Sequence, residues 1–142
     1  MQNKRWENEY RTTMVCVDSC ANGVLSGRFY NPSQPAGERF GSLLELILRM
    51  ERMLDQMMFP QPFSARRSFA PLDRAPGMIP GAEETQRGAK ATFAVRVLFR
   101  QNGSWQGSVT WVEGKREESF RSVLELIHLL GSALPMKEQA EN

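Results

Sequence analysis

Two stretches of the chain carry the same hydrophobic rhythm. "TTMVCVDSC" (12–20) and "ATFAVRVLF" (91–99) are runs of strand-forming residues, and each leads to an Asn-Gly pair, Asn22-Gly23 or Asn102-Gly103. Asn-Gly between two such runs is the strongest short-range hairpin signal, because both central residues of a type I′ turn need positive φ. A second short strand follows in each case, "GRFYN" and "GSVTWV". A polar loop comes next, and then a helix beginning near "FGSLLELI" or "FRSVLELI". Both helices open on S-x-x-E, Ser42 with Glu45 and Ser122 with Glu125. At that spacing the two side chains satisfy each other's orphan backbone N–H groups. The predicted unit is β-β-α, and it occurs twice.

A shift of 80 positions aligns residues 12–54 with 92–134 without a gap. Thr12/Thr92, Val15/Val95, Val17/Val97, Asn22/Asn102, Gly23/Gly103, Gly27/Gly107 and Glu38/Glu118 are identical, as are Phe40/Phe120, Ser42/Ser122, Leu44/Leu124, Glu45/Glu125, Leu46/Leu126, Ile47/Ile127 and Leu54/Leu134. Self-similarity at a fixed period indicates a duplicated unit. The expected fold class is α+β: two β-β-α repeats forming an antiparallel sheet with two helices packed on one face. Residues 1–58 hold the first repeat with an N-terminal extension, and 91–136 hold the second. Residues 59–90, rich in Pro, Gly and Arg and without a sustained period, are expected to be a flexible linker, and 137–142 a frayed tail. Within the linker, "FPQPFSARRSF" offers Phe59, Phe63 and Phe69, which are costly to leave in water and suggest docking on a neighbour.

The first helix, expected over 42–58, is apolar around more than half its circumference, beyond the stripe of about 100° that one buried face needs. The excess suggests self-association, with Met50, Met53, Met57 and Met58 as gap-fillers in the plainer alternative. On the second hairpin, a two-residue turn at Asn102-Gly103 would set Arg100 against Trp105, Leu98 against Gly107, Arg96 against Val109 and Ala94 against Trp111. With Phe93, Val95, Val97 and Phe99 facing the helices, Arg96, Arg100, Trp105 and Trp111 would form a binding surface on the open face. The first repeat would instead show Met14, Cys16, Asp18 and Cys20 with Leu25, Gly27, Phe29 and Asn31 there. This register is vulnerable to a bulge, which would send side chains to the opposite face.

Composition narrows the chemistry. Apolar residues are 41% and charged residues 24% of the chain, as in soluble globular proteins. A net charge of +2 does not by itself argue for a polyanionic partner. No window approaches 18 uninterrupted apolar residues, so no membrane partner is expected. The N-terminal "MQNKRWENEYRTT" has no apolar core of a secretory signal, and a cytoplasmic location is expected. Cys16 and Cys20 would lie about 13 Å apart on a strand, too far for a disulfide. With His128 the only histidine and no CxxC, no zinc site or other cofactor is expected. His128 stands where the first repeat has Leu48, and its spacing to Glu125 reads as a surface contact rather than an acid/base pair. No G-x-S-x-G, P-loop or GxGxxG pattern occurs. The chain is therefore expected not to be an enzyme and not to have a small-molecule substrate.

The strings "FRQNGSWQGSVTW" with "SFRSVLELI", and "GRFYNP" with "SLLELILRME", resemble a group of small uncharacterised bacterial proteins with this layout. That resemblance implies the architecture and no activity. The functional expectation is a cytoplasmic binding or regulatory module acting through protein–protein contacts, self-associating as a homo-oligomer. The alternative is a single-stranded nucleic-acid-binding protein using Arg96, Arg100, Trp105, Trp111 and the linker arginines, with bases stacked on the aromatic rings.

Overall fold

The computed structural model describes residues 10–58, 78–79 and 86–134. In chain order the elements are β1 (Thr12–Ser19), β2 (Ser26–Tyr30), β3 (Gly37–Phe40), α1 (Leu43–Met57), β4 (Met78–Ile79), β5 (Ala91–Phe99), β6 (Gln106–Trp111), β7 (Arg116–Phe120) and α2 (Val123–Ser132). The strands form one antiparallel sheet in the order β4-β3-β2-β1-β5-β6-β7. The protein is α+β, with two helices packed on the sheet.

The polar segment before each helix is a strand, not a loop. β3 "GERF" and β7 "REESF" give no apolar alternation, because they lie toward the sheet margins and β7 buries only Phe120. Three strands rather than the expected two therefore precede each helix, and the sheet has seven strands among the described residues. Within 59–90, Met78–Ile79 pair with β3, Gly37 opposite Ile79 and Glu38 opposite Met78. Residues 86–90 run beside β1, where the Lys90 N–H donates to the Val17 carbonyl at 2.8 Å. The remaining linker residues, Phe59, Phe63, Phe69 and most of the linker arginines among them, lie outside the described residues, as does the 137–142 tail.

The Asn-Gly turns form as their chemistry requires. Asn22, Gly23, Asn102 and Gly103 all have positive φ, between 55° and 76°. The strands leading into them do not keep the simple register. Val97 pairs with Gly107 but Phe99 pairs with Gln106, leaving Leu98 as a bulged extra residue. Asp18 is the extra residue in the first hairpin, between Val17 opposite Gly27 and Ser19 opposite Ser26. At the centre, β1 and β5 pair so that Met14 faces Ala94, its counterpart 80 positions on, with Thr13 facing Val95 and Val15 facing Phe93.

Val15, Val17, Phe29, Phe93, Val95, Val97 and Val109 of the sheet pack with Leu46, Met50, Met53, Leu54, Leu126 and Leu130 of the helices in one apolar cluster. Each helix start is fixed by its serine. Ser42 Oγ accepts from the Glu45 N–H at 3.1 Å, and Ser122 Oγ from the Glu125 N–H at 3.2 Å. The glutamates reach one residue further back than a capping box has them. Glu45 accepts from the Gly41 N–H and Glu125 from the Arg121 N–H, both at 2.7 Å. Bonds from the Arg121 side chain and backbone hold the Glu125 carboxyl down to about 2. No helix among the described residues is long and apolar enough to cross a membrane.

Candidate functional site

The four residues expected to share an open face are divided by the structure. Only Arg96 stands exposed on the side of the sheet away from the helices, opposite Thr12 and Ser108. Arg100 and Trp105 are each 2% exposed. Arg100 Nη1 donates to Asp55 Oδ1 at 2.9 Å and lies 3.5 Å from Glu51 Oε2, and Trp105 Nε1–H donates to Glu51 Oε1 at 2.6 Å. Both side chains therefore tie the second hairpin to the C-terminal half of α1. Trp111 pairs with Phe93 and packs against the core on the helix side. The shared Arg/Trp face is thus corrected, and the reason is the bulge at Leu98. Beyond it the strand alternation is reversed, so Phe99 turns out to solvent and Arg100 turns in. Val109 and Trp111, which the expected register put on the open face, pack on the helix side instead. In the first hairpin, Leu25 and Phe29 are likewise in the core rather than on the open face.

The open face carries a polar network that the hydrophobic pattern did not indicate. Arg28 on β2 donates from Nε and Nη2 to the two Asp18 oxygens at 2.9 and 3.2 Å, from Nη1 to Tyr30 Oη at 2.8 Å, and from Nη2 to the Arg87 carbonyl at 2.8 Å. Asp18 also accepts from the Ala89 N–H at 3.0 Å. The bond to Asp18 raises the Arg28 pKa further above its ordinary range. Glu113 caps the other side of the same strip by accepting from the Thr92 N–H at 2.7 Å. Beneath the network, Cys16 is buried, and burial pushes its thiol up to about 11. A thiol held protonated is a poor nucleophile. Cys20 is free and buried in the core cluster, so both cysteines fill apolar or covered space.

Hollows adjoin the sheet among the described residues, two of them large enough to describe. One, of about 620 Å³, lies between Met14, Tyr30, the 31–36 segment and Gln86. Its wall is held by Asn31, whose Nδ2 donates to the Tyr10 and Thr12 carbonyls and to Thr13 Oγ1, while Oδ1 accepts from the Ser33 N–H. Asn31 is thereby committed to the loop. The second, of about 180 Å³, lies at the β7 margin between Phe93, Val109, Trp111, Arg116, Glu118, Leu129 and Ser132 of α2, and Ala133 just after it. Among the described residues, no three His, Cys, Asp or Glu side chains are placed to hold a metal ion.

The helices expose large apolar side chains at matching places. Leu44 is 68% exposed and Leu124 is 64% exposed, each the second residue of its helix. His128 is also exposed on α2, while Glu125 is engaged by Arg121. Comparison with protein-family models, curated proteins and solved structures finds no match to this chain.

Proposed function

We propose that this protein is a non-enzymatic cytoplasmic module acting through protein–protein contacts, and that it pairs with a second copy through its helix layer. The observation that carries this reading is the pair Leu44 and Leu124. The same apolar residue occupies the same place on both helices, and both copies point it into water. One leucine left exposed is ordinary; the recurrence of an exposed leucine at the matching place on both helices supports a use for this layer. Leu48 continues the stripe one turn along α1, half-buried. Two such helix faces related by a twofold axis would be self-complementary.

We also read the chain as a duplication of a three-strand-and-helix unit. Support comes from the register, in which Gly27/Gly107 face Val17/Val97 on one side and Phe40/Phe120 on the other. A nucleic-acid surface has less support, because Arg100 and Trp105 are turned inward. The test is sedimentation velocity at tens of micromolar. The wild-type chain should sediment as a dimer, and Leu44→Glu with Leu124→Glu should sediment as a folded monomer. A monomeric wild type would overturn the self-association.

A further inference from the structure

The two margins of the sheet differ in what pairs with their outer strands. At one margin, β3 receives an added strand, β4, on its outer edge. By the shift of 80, the positions of β3 that receive it, Gly37 and Glu38, correspond to Glu117 and Glu118 of β7. The outer edge of β7 has no strand partner among the described residues. An edge strand presents a row of unpaired N–H and C=O groups, a template for a further strand.

The side chains next to these edges differ in a complementary way. Glu38 is buried, its side chain 3% exposed, and is held by Arg49 from α1 at 3.1 Å and by Gln34 at 3.3 Å. Glu118 keeps the carboxylate, but its internal partners are gone. The counterpart of Arg49 is Leu129 and that of Gln34 is Gly114. Glu118 is 58% exposed, with Arg116 of its own strand at 3.9 Å. Leu129, the counterpart of Arg49, lines the hollow together with Phe93, Val109, Trp111 and Glu118. Trp111 Nε1, beside this hollow, is buried with no hydrogen-bond partner among the described residues.

We propose that β7 accepts an extended segment of a partner protein as an added strand, and that this segment places an arginine or lysine side chain in the hollow against Glu118. The alkyl stem lies along Leu129 and Trp111, while the cation takes the place that Arg49 fills internally at the other margin. Long basic side chains suit such a site, because the stem buries in apolar surface while the charge meets a carboxylate at the rim. The charges on Arg116, Glu117 and Glu118 also disfavour pairing with an apolar edge, which restricts what can add. This surface is separate from Leu44 and Leu124, and the proposal does not require self-association.

The test uses the full chain, isotope-labelled for amide NMR, and two short blocked peptides of alternating threonine and valine, one with a central arginine and one with a central glutamate. The arginine peptide should shift the β7 amides and protect them from exchange, and should bind at least about tenfold tighter than the glutamate peptide, equivalent to about 1.4 kcal/mol. Leu129→Arg, which rebuilds the internal ion pair, should weaken the arginine peptide by about tenfold or more. Glu118→Gln should erase the preference between the peptides. The Leu44→Glu, Leu124→Glu variant should bind as wild type does. Equal binding of the two peptides, binding without a response in β7, or β7 shifts on concentrating the protein alone would overturn the proposal, the last by making a second copy the occupant.

Discussion

An added Cβ at Gly27 would lie 1.9 Å from the Cys16 carbonyl oxygen, and one at Gly107 would lie 1.9 Å from that of Arg96. Both glycines sit opposite the residue before a bulge, where the extra residue brings the strand backbones together. Their recurrence was legible in the sequence, but their reason was not, because a close backbone approach leaves no trace in hydrophobic periodicity. Gly107→Ala should therefore destabilise the fold by about 2–4 kcal/mol in urea unfolding, through displaced backbone. Gly103 is a useful contrast. It has φ of 71° with open space around the added Cβ, so Gly103→Ala should cost only about 1 kcal/mol, through conformation alone. Equal losses at the two sites would refute the distinction.

At the scale of elements, the second hairpin is fastened to α1 by Arg100 and Trp105 through Asp55 and Glu51. The Leu54 carbonyl accepts from Arg100 as well, at 3.4 Å. The first hairpin has Cys20 and Leu25 at the matching positions, and the counterparts of Glu51 and Asp55 are Gly131 and Pro135, which bring no side-chain acceptor. The asymmetry between halves that suggested a binding face is thus in part an internal strap. Arg100 is buried while Asp55 and Glu51 are partly exposed, so Arg100→Ala, which removes charge-assisted hydrogen bonds and buried packing, should cost about 2 kcal/mol. Trp105→Ala should cost about 3–5 kcal/mol by cavity formation, and Arg96→Ala should stay within about 0.5 kcal/mol of wild type. Chemical denaturation of the three variants tests the assignment, and an Arg100→Ala protein as stable as wild type would refute the strap. The helix starts were more legible, because a cap depends on residues three positions apart and both serines accept their expected bond.

For the whole molecule, the central strand pair joins the halves. β1 and β5 pair over six positions centred near Met14 and Ala94, and the apolar cluster under them draws on both helices. Two halves that share a central ladder and one core should unfold together. Tryptophan fluorescence, which reports mainly on the second half through Trp105 and Trp111, and far-ultraviolet circular dichroism, which reports on both, should give coincident urea transitions. Separate midpoints would show two independent units. The margins do not share this symmetry. β4 covers β3, while β7 meets the surroundings with Arg116, Glu117 and Glu118.

The sequence by itself determined the features that local chemistry governs. These are the Asn-Gly turns, which need positive φ at consecutive residues, the serine-capped helices with their apolar faces, and the matching of positions 80 apart. Only the tertiary structure decided which residues meet solvent. The strands β3 and β7 carry little apolar signal, because β7 buries only Phe120 and β3 buries the charged Glu38 beside Phe40. The bulges at Asp18 and Leu98 shift the register by one residue, and with a period of two that is enough to turn Arg100 inward. Glu38 and Glu118 are the same residue in matching positions, yet one is buried against an arginine and the other stands at an open hollow. The residue type sets the charge, and the side chain on the neighbouring helix decides whether that charge is already satisfied.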